Sequence, residues 1–296
     1  MSVPVGRVGV WMPSFMVDGD DGATMVAELE ELGFTALWLG GANDLRQVER
    51  LLSATRRIVL ATGITSIWAA DATQLAADTH RISVAHPGRF LLGLGTSHEP
   101  FVAALGKQYE RPLHHLAEFL DQLDAAPNRV PPDQRVLAAL GPKALDLAAA
   151  RSAGAHPYLV TPQHTHAARQ RLGAGALLAP EQKVLLETNP ATARRIARER
   201  VSYYWQLPNY VRNFHRMGFT EDDLASGGSD RLIDALVAWG TPDQIAARIA
   251  EHHEAGADHV SLQVLTADLD HLNRSTPPTP DQWLTLANAL HLPPDR

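Results

Sequence analysis

The segment His86-Pro87-Gly88-Arg89-Phe90-Leu91-Leu92-Gly93-Leu94-Gly95-Thr96-Ser97-His98 is the part of the chain that most strongly indicates its fold. Its middle is a continuous apolar run bounded by turn residues, which is typical of a parallel strand covered on both faces. Gly93 and Gly95 lack a Cβ, so another backbone or a flat ligand can approach closely. Polar groups follow at the carboxyl end of this strand, where parallel α/β folds bind ligands: Thr96, Ser97 and His98. The alternative is an ordinary strand-to-loop turn with a solvated histidine.

Apolar, β-branched runs alternate with helical patterns along the rest of the chain. Eight such runs are predicted to be strands: Val8–Met12, Ala36–Leu39, Ile58–Ile64, Phe90–Leu94, Val136–Leu140, Tyr158–Val160, Val184–Leu186 and His259–Leu265. The stretches between them show helical periodicity and typical helix ends, such as the glycines that follow residues 23–32 and 243–255. Eight alternating units favour an α/β fold of the (β/α)8 (TIM) barrel type, with a doubly wound open sheet as the alternative.

The length of the chain sets the expected domain organisation. With 296 residues, of which 45% are hydrophobic, the chain can bury one large core, so we expect a single domain over residues 1–296. The segment from about 188 to 241 is longer than one strand-to-helix connection requires. It is predicted to be an insertion between the seventh and eighth strands that caps the barrel mouth.

Composition narrows the classes of partner. The net charge of −7, from 26 basic and 33 acidic residues, argues against nucleic acid and favours a small-molecule substrate. The absence of cysteine excludes disulfides, thiol nucleophiles and cysteine-bound metals. The sequence has neither a signal-peptide pattern nor an apolar stretch of about 18 residues. We therefore predict a cytoplasmic protein without a membrane partner.

The residues just past the predicted strands are rich in glycine and hydroxyl groups and poor in carboxylates. They are Pro13–Ser14, Gly40–Gly41, Gly63–Thr65, Thr96–His98, Gly141–Lys143, Thr161–His164 and Glu187–Thr188. This composition disfavours glycoside hydrolysis, which needs a facing pair of acids, and suits a flat ligand held by backbone and hydroxyl groups. Gly141-Pro142 opens a predicted helix, and this helix start is either an anion site or an ordinary cap.

Histidines and tryptophans give weaker signals. Three histidine clusters occur, but none has a metal-binding spacing such as His-Glu-x-x-His, so no metal is predicted. Trp11 and Trp68 lie near strand ends. Each is expected either to pack in the core or to wall a pocket for a planar ligand.

Two stretches carry a family resemblance: Arg57–Ile64 and His86–Gly95. On these residues the chain resembles the luciferase-like monooxygenase superfamily, and in particular its branch of oxidoreductases that use coenzyme F420. The resemblance implies a (β/α)8 barrel that holds the tricyclic ring of the cofactor at its mouth. It also implies a non-proline cis peptide at Gly63–Ile64, a bulge that backs one face of the ring.

The resemblance also assigns site residues. It implies that the cofactor is bound by Gly41, Gly63, Ile64, Thr96, Ser97, Leu140, Gly141, Pro142, Thr161 and His164, the last five around its phosphate-bearing tail. Sugar-phosphate dehydrogenases of this branch have acidic and histidine residues where this chain has Gly41-Ala42, so that activity is not expected. The resemblance makes His98 the candidate for proton transfer, because it is the titratable group of the fourth-strand loop that aligns with a catalytic position of the family; its ordinary pKa suits acid or base work near neutrality. Substrate-pocket candidates are Trp11, Trp68, Asn209 and Tyr210.

The function predicted from these observations is hydride transfer between the deazaflavin C5 of coenzyme F420 and a small organic substrate. Alternatives on the same fold are an FMN-dependent monooxygenase and a non-catalytic flavin- or deazaflavin-binding protein. An unrelated aldolase or isomerase would need a lysine at a strand end. The nearby lysines are Lys143 and Lys183, and the pattern places neither inside an apolar strand end. The resemblance further implies a homodimer.

Overall fold

The computed structural model of the chain describes residues 3–270 and 274–293. Its strands are β1 (Val8–Pro13), β2 (Ala36–Gly40), β3 (Val59–Thr62), β4 (Thr65–Ser66), β5 (Phe90–Gly95), β6 (Arg135–Leu137), β7 (Gly154–Ala155), β8 (Leu177–Leu178), β9 (Glu181–Leu185), β10 (Val237–Trp239) and β11 (Val260–Val264). Its helices are α1 (Gly19–Glu31), α2 (Leu45–Ser53), α3 (Ala72–Ala85), α4 (Glu99–Ala104), α5 (Pro112–Ala125), α6 (Pro142–Arg151), α7 (Pro162–Leu172), α8 (Pro190–Val201), α9 (Pro208–Arg216), α10 (Glu221–Leu224), α11 (Asp230–Leu236), α12 (Pro242–Glu254) and α13 (Pro280–Ala289).

The named strands pair in parallel in the order β10-β9-β11-β1-β2-β3-β5-β6-β7-β8, with β4 beside β5. The sheet closes because β8 and β9 act as one strand with two edges. On one edge the Ala179 N–H donates to the Ala155 carbonyl at 2.9 Å, and on the other the Ser261 N–H donates to the Pro180 carbonyl at 3.0 Å. These bonds join β7 to β11 through residues 177–185. The predicted (β/α)8 barrel is therefore confirmed.

The sixth and seventh barrel strands differ from the prediction. Tyr158–Val160 was predicted as a strand and is not one; the sixth strand is β7, where a Cβ on Gly154 would lie 1.9 Å from the Leu177 carbonyl oxygen. Only glycine permits this close approach. The seventh barrel strand ends with β9, which spans Glu181–Leu185 and so begins three residues before the predicted Val184. Its first residues include the charged Glu181. Charged residues inside a barrel strand conceal it from an apolar pattern.

The third strand is interrupted where the resemblance implies a bulge. The peptide bond between Gly63 and Ile64 is cis, and it separates β3 from β4. This expectation is confirmed. The predicted strand 58–64 thus becomes two short strands at the mouth of the barrel.

The insertion between the seventh and eighth barrel strands contains α8 to α11 and the strand β10. This strand pairs in parallel with β9, with Val237 opposite Lys183 and Trp239 opposite Leu185. The insertion is where the sequence predicts it, but that prediction missed its strand. None of the described helices is long and apolar enough to cross a membrane.

Aromatic and imidazole rings pack against one another inside the barrel. Trp38 stacks on His156 at 4.1 Å between ring centroids, and its indole N–H donates to Nε2 of His259 at 3.0 Å. Burial lowers the pKa of His259 to about 3, so its imidazole is neutral and can accept this bond. These buried rings fill part of the barrel interior.

Gly93 is the tightest glycine in β5. Its N–H donates to Oγ1 of Thr62 at 2.8 Å, and a Cβ at this position would lie 1.8 Å from the Thr62 carbonyl oxygen. Gly93→Ala is therefore expected to lower the free energy of unfolding by about 1–3 kcal/mol, measured by urea denaturation. Gly175→Ala is the control, because a Cβ there meets nothing within 4 Å. Equal stability of the two variants would contradict the prediction.

Candidate functional site

Trp11, in β1, lies beside the cis bulge inside the barrel mouth. Its indole N–H donates to the Gly63 carbonyl at 3.2 Å, and its ring centroid lies 5.0 Å from that of Tyr158. A Cβ on Gly63 would lie 2.8 Å from the indole nitrogen, so this contact requires glycine. Trp11 therefore supports the bulge, in addition to forming a wall.

The glycines of β5 were predicted to allow close approach of another backbone or a flat ligand. In the structure, other residues of the protein make this approach. Ile64 packs on Gly95, where a Cβ would lie 2.8 Å from Cγ1 of the isoleucine. The Trp68 indole N–H donates to the Thr96 carbonyl at 2.8 Å. Gly41, in contrast, is exposed at the mouth, and a Cβ on it would meet nothing within 4 Å.

Ser97 and His98 connect β5 to α4. Ser97 has a positive φ of 56°, and its carbonyl accepts a hydrogen bond from the Tyr109 hydroxyl at 3.2 Å. Nδ1 of His98 is buried and has no hydrogen-bond partner among the described residues. Burial lowers the pKa of His98, although the Asn209 side chain acts in the opposite direction. The imidazole is thus neutral at pH 7, and its buried Nδ1 has no hydrogen-bond partner among the described residues.

The starts of α6 and α7 lie next to each other at the predicted phosphate site. Gly141 is the N-cap of α6, and Thr161 is the N-cap of α7, where its hydroxyl accepts from the His164 N–H at 3.3 Å. Nε2 of His164 lies 2.9 Å from the Leu140 carbonyl, whereas its Nδ1 is buried without a partner among the described residues. Helix starts present unpaired N–H groups and partial positive charge, which suits an anion.

Helix α9 of the insertion adds residues that the sequence reasoning missed. The Arg216 guanidinium lies against Gly141, where a Cβ would be 3.3 Å from Nη1. Within the described ranges, no hydrogen bond or ion pair engages this guanidinium, and its charge helps to lower the pKa of His164. Asn213 is fully buried, and neither atom of its amide has a partner in the described part of the chain.

The spacing of the polar residues of α9 is the feature of the sequence that could have indicated Asn213 and Arg216. Asn209, Asn213 and Arg216 recur at i, i+4 and i+7, so they share one helix face. This face extends from His98 at one end to Gly141 at the other. Tyr210, the other predicted pocket residue of α9, is buried beside His98 with ring centroids 5.6 Å apart.

A buried ion pair lies inside the barrel mouth. Nζ of Lys183 is 3.1 Å from Oε1 of Glu181, and it also donates to the Tyr158 hydroxyl and to Oε1 of Gln263, each at 2.7 Å. Burial lowers the pKa of Lys183 and raises that of Glu181. Lys183, which the sequence pattern places just outside an apolar strand, lies within β9, whose first residues are polar, and it is almost fully buried beside Glu181.

A cavity of about 680 Å³ opens between the carboxyl ends of β1 and β11. Its lining is mainly apolar and consists of Trp11, Met12, Pro13, Phe15, Met16, Phe101, Arg200, Tyr203, Gln263, Val264, Leu265, Arg274, Ser275 and Pro278. Trp11 belongs both to this lining and to the predicted site. The cavity thus adjoins the cis bulge.

The residues at the mouth fit a cofactor that carries a phosphate. Two helix starts and the guanidinium of Arg216 together form a donor set for an anion. Over residues 3–270 and 274–293, no group of three or more His, Asp or Glu side chains is placed to hold a metal ion.

Comparison with known proteins agrees with this geometry. The luciferase-like monooxygenase family matches residues 8–259. A 5,10-methylenetetrahydromethanopterin reductase of Archaeoglobus fulgidus is 24% identical, over 78% of this chain and 85% of its own length.

Two solved structures share the fold at 14% identity. The coenzyme F420-dependent tetrahydromethanopterin reductase of Methanopyrus kandleri has a TM-score of 0.73 and covers 97% of this chain and 99% of its own. The oxygenating constituent of 3,6-diketocamphane monooxygenase of Pseudomonas putida, in complex with FMN, has a TM-score of 0.62 and covers 97% and 96%. The family match spans most of the sequence, and the barrel has the same architecture as these structures. The chain therefore belongs to the luciferase-like monooxygenase family.

Proposed function

We propose that this protein is an oxidoreductase that uses coenzyme F420 and transfers a hydride between the deazaflavin C5 and a small organic substrate. The observation that carries the proposal is the anion-binding arrangement at the starts of α6 and α7, completed by Arg216. The coenzyme F420-dependent tetrahydromethanopterin reductase of Methanopyrus kandleri, which has a similar fold, supports the deazaflavin over FMN.

Each part of the mouth has a role in this proposal. The bound tricyclic cofactor supplies the hydride chemistry, while the protein supplies binding and orientation. Gly141, Thr161 and Arg216 hold the phosphate. Trp11 supports the bulge at Gly63 against the ring, and His98 takes up or releases the accompanying proton.

A titration of the purified apoprotein with coenzyme F420 and, separately, with FMN tests the proposal. We expect coenzyme F420 to bind with a micromolar or lower dissociation constant. Binding is followed as a change in the fluorescence of the cofactor or of the protein. Preferential binding of FMN would instead favour the monooxygenase alternative. A monooxygenase component of similar fold has been solved in complex with FMN. Binding of neither would refute a cofactor-dependent function. The homodimer stays a prediction, which light scattering tests.

Arg216→Met is expected to raise the dissociation constant for the cofactor about 10- to 100-fold. A hydrogen bond to a charged group contributes about 1.5–3 kcal/mol, and methionine keeps much of the volume while removing the charge. Fluorescence titration of both proteins measures the change. Arg195→Met is the matched control, since Arg195 is exposed on α8 and pairs with Glu199. Equal affinities of the two variants would contradict the role of Arg216.

A further inference from the structure

The cavity between β1 and β11 has an entrance formed by aromatic side chains. Phe15, Phe101 and Tyr203 line it, and they are 37%, 54% and 41% exposed, unusually open for large hydrophobic side chains. Exposed apolar surface that is concentrated around a cavity marks a binding site for an apolar ligand.

Gln263 is the uncharged amide in the lining, and its orientation is fixed from behind. Its Oε1 accepts hydrogen bonds from Nζ of Lys183 and from the Tyr158 hydroxyl, each at 2.7 Å. An ammonium group only donates, so the oxygen must face Lys183 and the amide nitrogen must point away from it. Within the described chain, this nitrogen has no hydrogen-bond partner, and it is not among the buried unpartnered atoms. The lining therefore contains one oriented N–H donor.

The two cations of the lining already have partners. The Arg200 guanidinium donates to the carbonyls of Thr266 and Ala267 at 3.1 and 2.8 Å. Arg274 forms an ion pair with Asp270 at 2.7 Å, and its guanidinium lies over the Phe15 ring. With both charges engaged, the cavity suits a neutral ligand better than an anion.

We propose that this cavity binds the substrate, and that the substrate is a neutral, mainly apolar molecule with a carbonyl oxygen that accepts a hydrogen bond from Nε2 of Gln263. The aromatic entrance contacts its apolar part. Trp11 lines this cavity and donates its indole N–H to the Gly63 carbonyl, so the bound molecule lies next to the bulge that supports the cofactor ring. The inference rests on the proposed function for the reaction that follows binding, but the binding itself needs no cofactor.

The test compares two probes of similar shape, acetophenone and ethylbenzene, by calorimetric titration of the cofactor-free protein. We expect wild type to bind acetophenone about three- to tenfold more tightly, as one neutral hydrogen bond predicts. In Gln263→Glu the side chain still accepts from Lys183 and Tyr158 but has no N–H to donate, so the preference for acetophenone is expected to disappear. Tyr203→Ala is expected to weaken both probes equally, because this residue lies at the entrance and outside the hydrogen-bonded network around Lys183.

The outcomes separate this inference from the proposed function. An unchanged preference in Gln263→Glu, or no binding of either probe to wild type, would overturn the inference even if coenzyme F420 binds. A preference that Gln263→Glu abolishes would support the site even if neither cofactor binds. Circular dichroism of each variant establishes that it is folded. Should Gln263→Glu fail to fold, the Tyr203→Ala result decides: an unchanged affinity for both probes overturns the inference, and an equal loss supports it.

Discussion

Lys183→Met is expected to lower the free energy of unfolding by about 3–5 kcal/mol at neutral pH. The substitution leaves the Glu181 carboxylate buried without its partner, and an uncompensated buried charge is among the costliest single defects in a protein. Methionine fills a similar volume, so loss of packing adds little. Urea denaturation followed by circular dichroism measures the change. An effect below about 1 kcal/mol, the value typical of a surface ion pair, would contradict the prediction.

The double variant Glu181→Gln with Lys183→Met provides the control. It removes both charges, so it is expected to be more stable than the sum of the two single changes predicts. The pH dependence gives a second check. Burial raises the pKa of Glu181, and in Lys183→Met the lysine no longer offsets this. An acid whose pKa is higher in the folded state favours folding as the pH falls, so the deficit of the variant should shrink on acidification.

His98→Gln is expected to lower kcat of the cofactor-dependent reaction about 10²- to 10⁴-fold, the range typical of general acid–base catalysis. Glutamine retains a polar group of similar size but cannot take up a proton. Binding of the cofactor, measured by titration, should change little. A matched loss of activity in His166→Gln, an exposed histidine of α7, would show that the effect is not specific to His98.

The pH profile of the wild type follows from the lowered pKa of His98. Burial disfavours the imidazolium, so the neutral form persists below the ordinary histidine pKa of about 6.5. In the direction of substrate oxidation the neutral imidazole accepts the proton. The rate should then be constant around pH 7 and fall only below about pH 6.5, and His98→Gln should lack this fall. A wild-type rate that already halves above pH 7 would contradict the assignment.

The sequence predicted those elements in which burial and pattern agree. β5 is apolar along its whole length and was predicted within one residue of its end, and α6 begins at Pro142 after the predicted cap. β9 was predicted only in part, because its inward-facing Glu181 and Lys183 neutralise each other in space and no apolar pattern reveals this. β7 is only two residues long and has no periodicity to detect.

The residues of the candidate site likewise divide into those that the sequence pattern predicts and those that it does not. Residues that follow strands, such as His98 and Gly141, could be predicted because a parallel barrel brings all carboxyl ends of its strands together. Gln263 could not be predicted, and for Arg216 the available signal was only its spacing with Asn209 and Asn213 on α9. Arg216 reaches Gly141 through the packing of the insertion, and the orientation of Gln263 depends on a lysine 80 positions earlier in the chain.

The pairing of β10 with β9 bears on how this fold can diversify. The segment between them leaves the barrel at β9 and returns to the same strand, so hydrogen bonds hold its two ends side by side. The entropy lost on closing such a segment grows slowly with length, by about 0.6 kcal/mol for each doubling. Residues can therefore be gained or lost between β9 and β10 at little thermodynamic cost to the barrel. Variation in length, rather than substitution in the strands, is the inexpensive way to reshape the mouth for a new substrate.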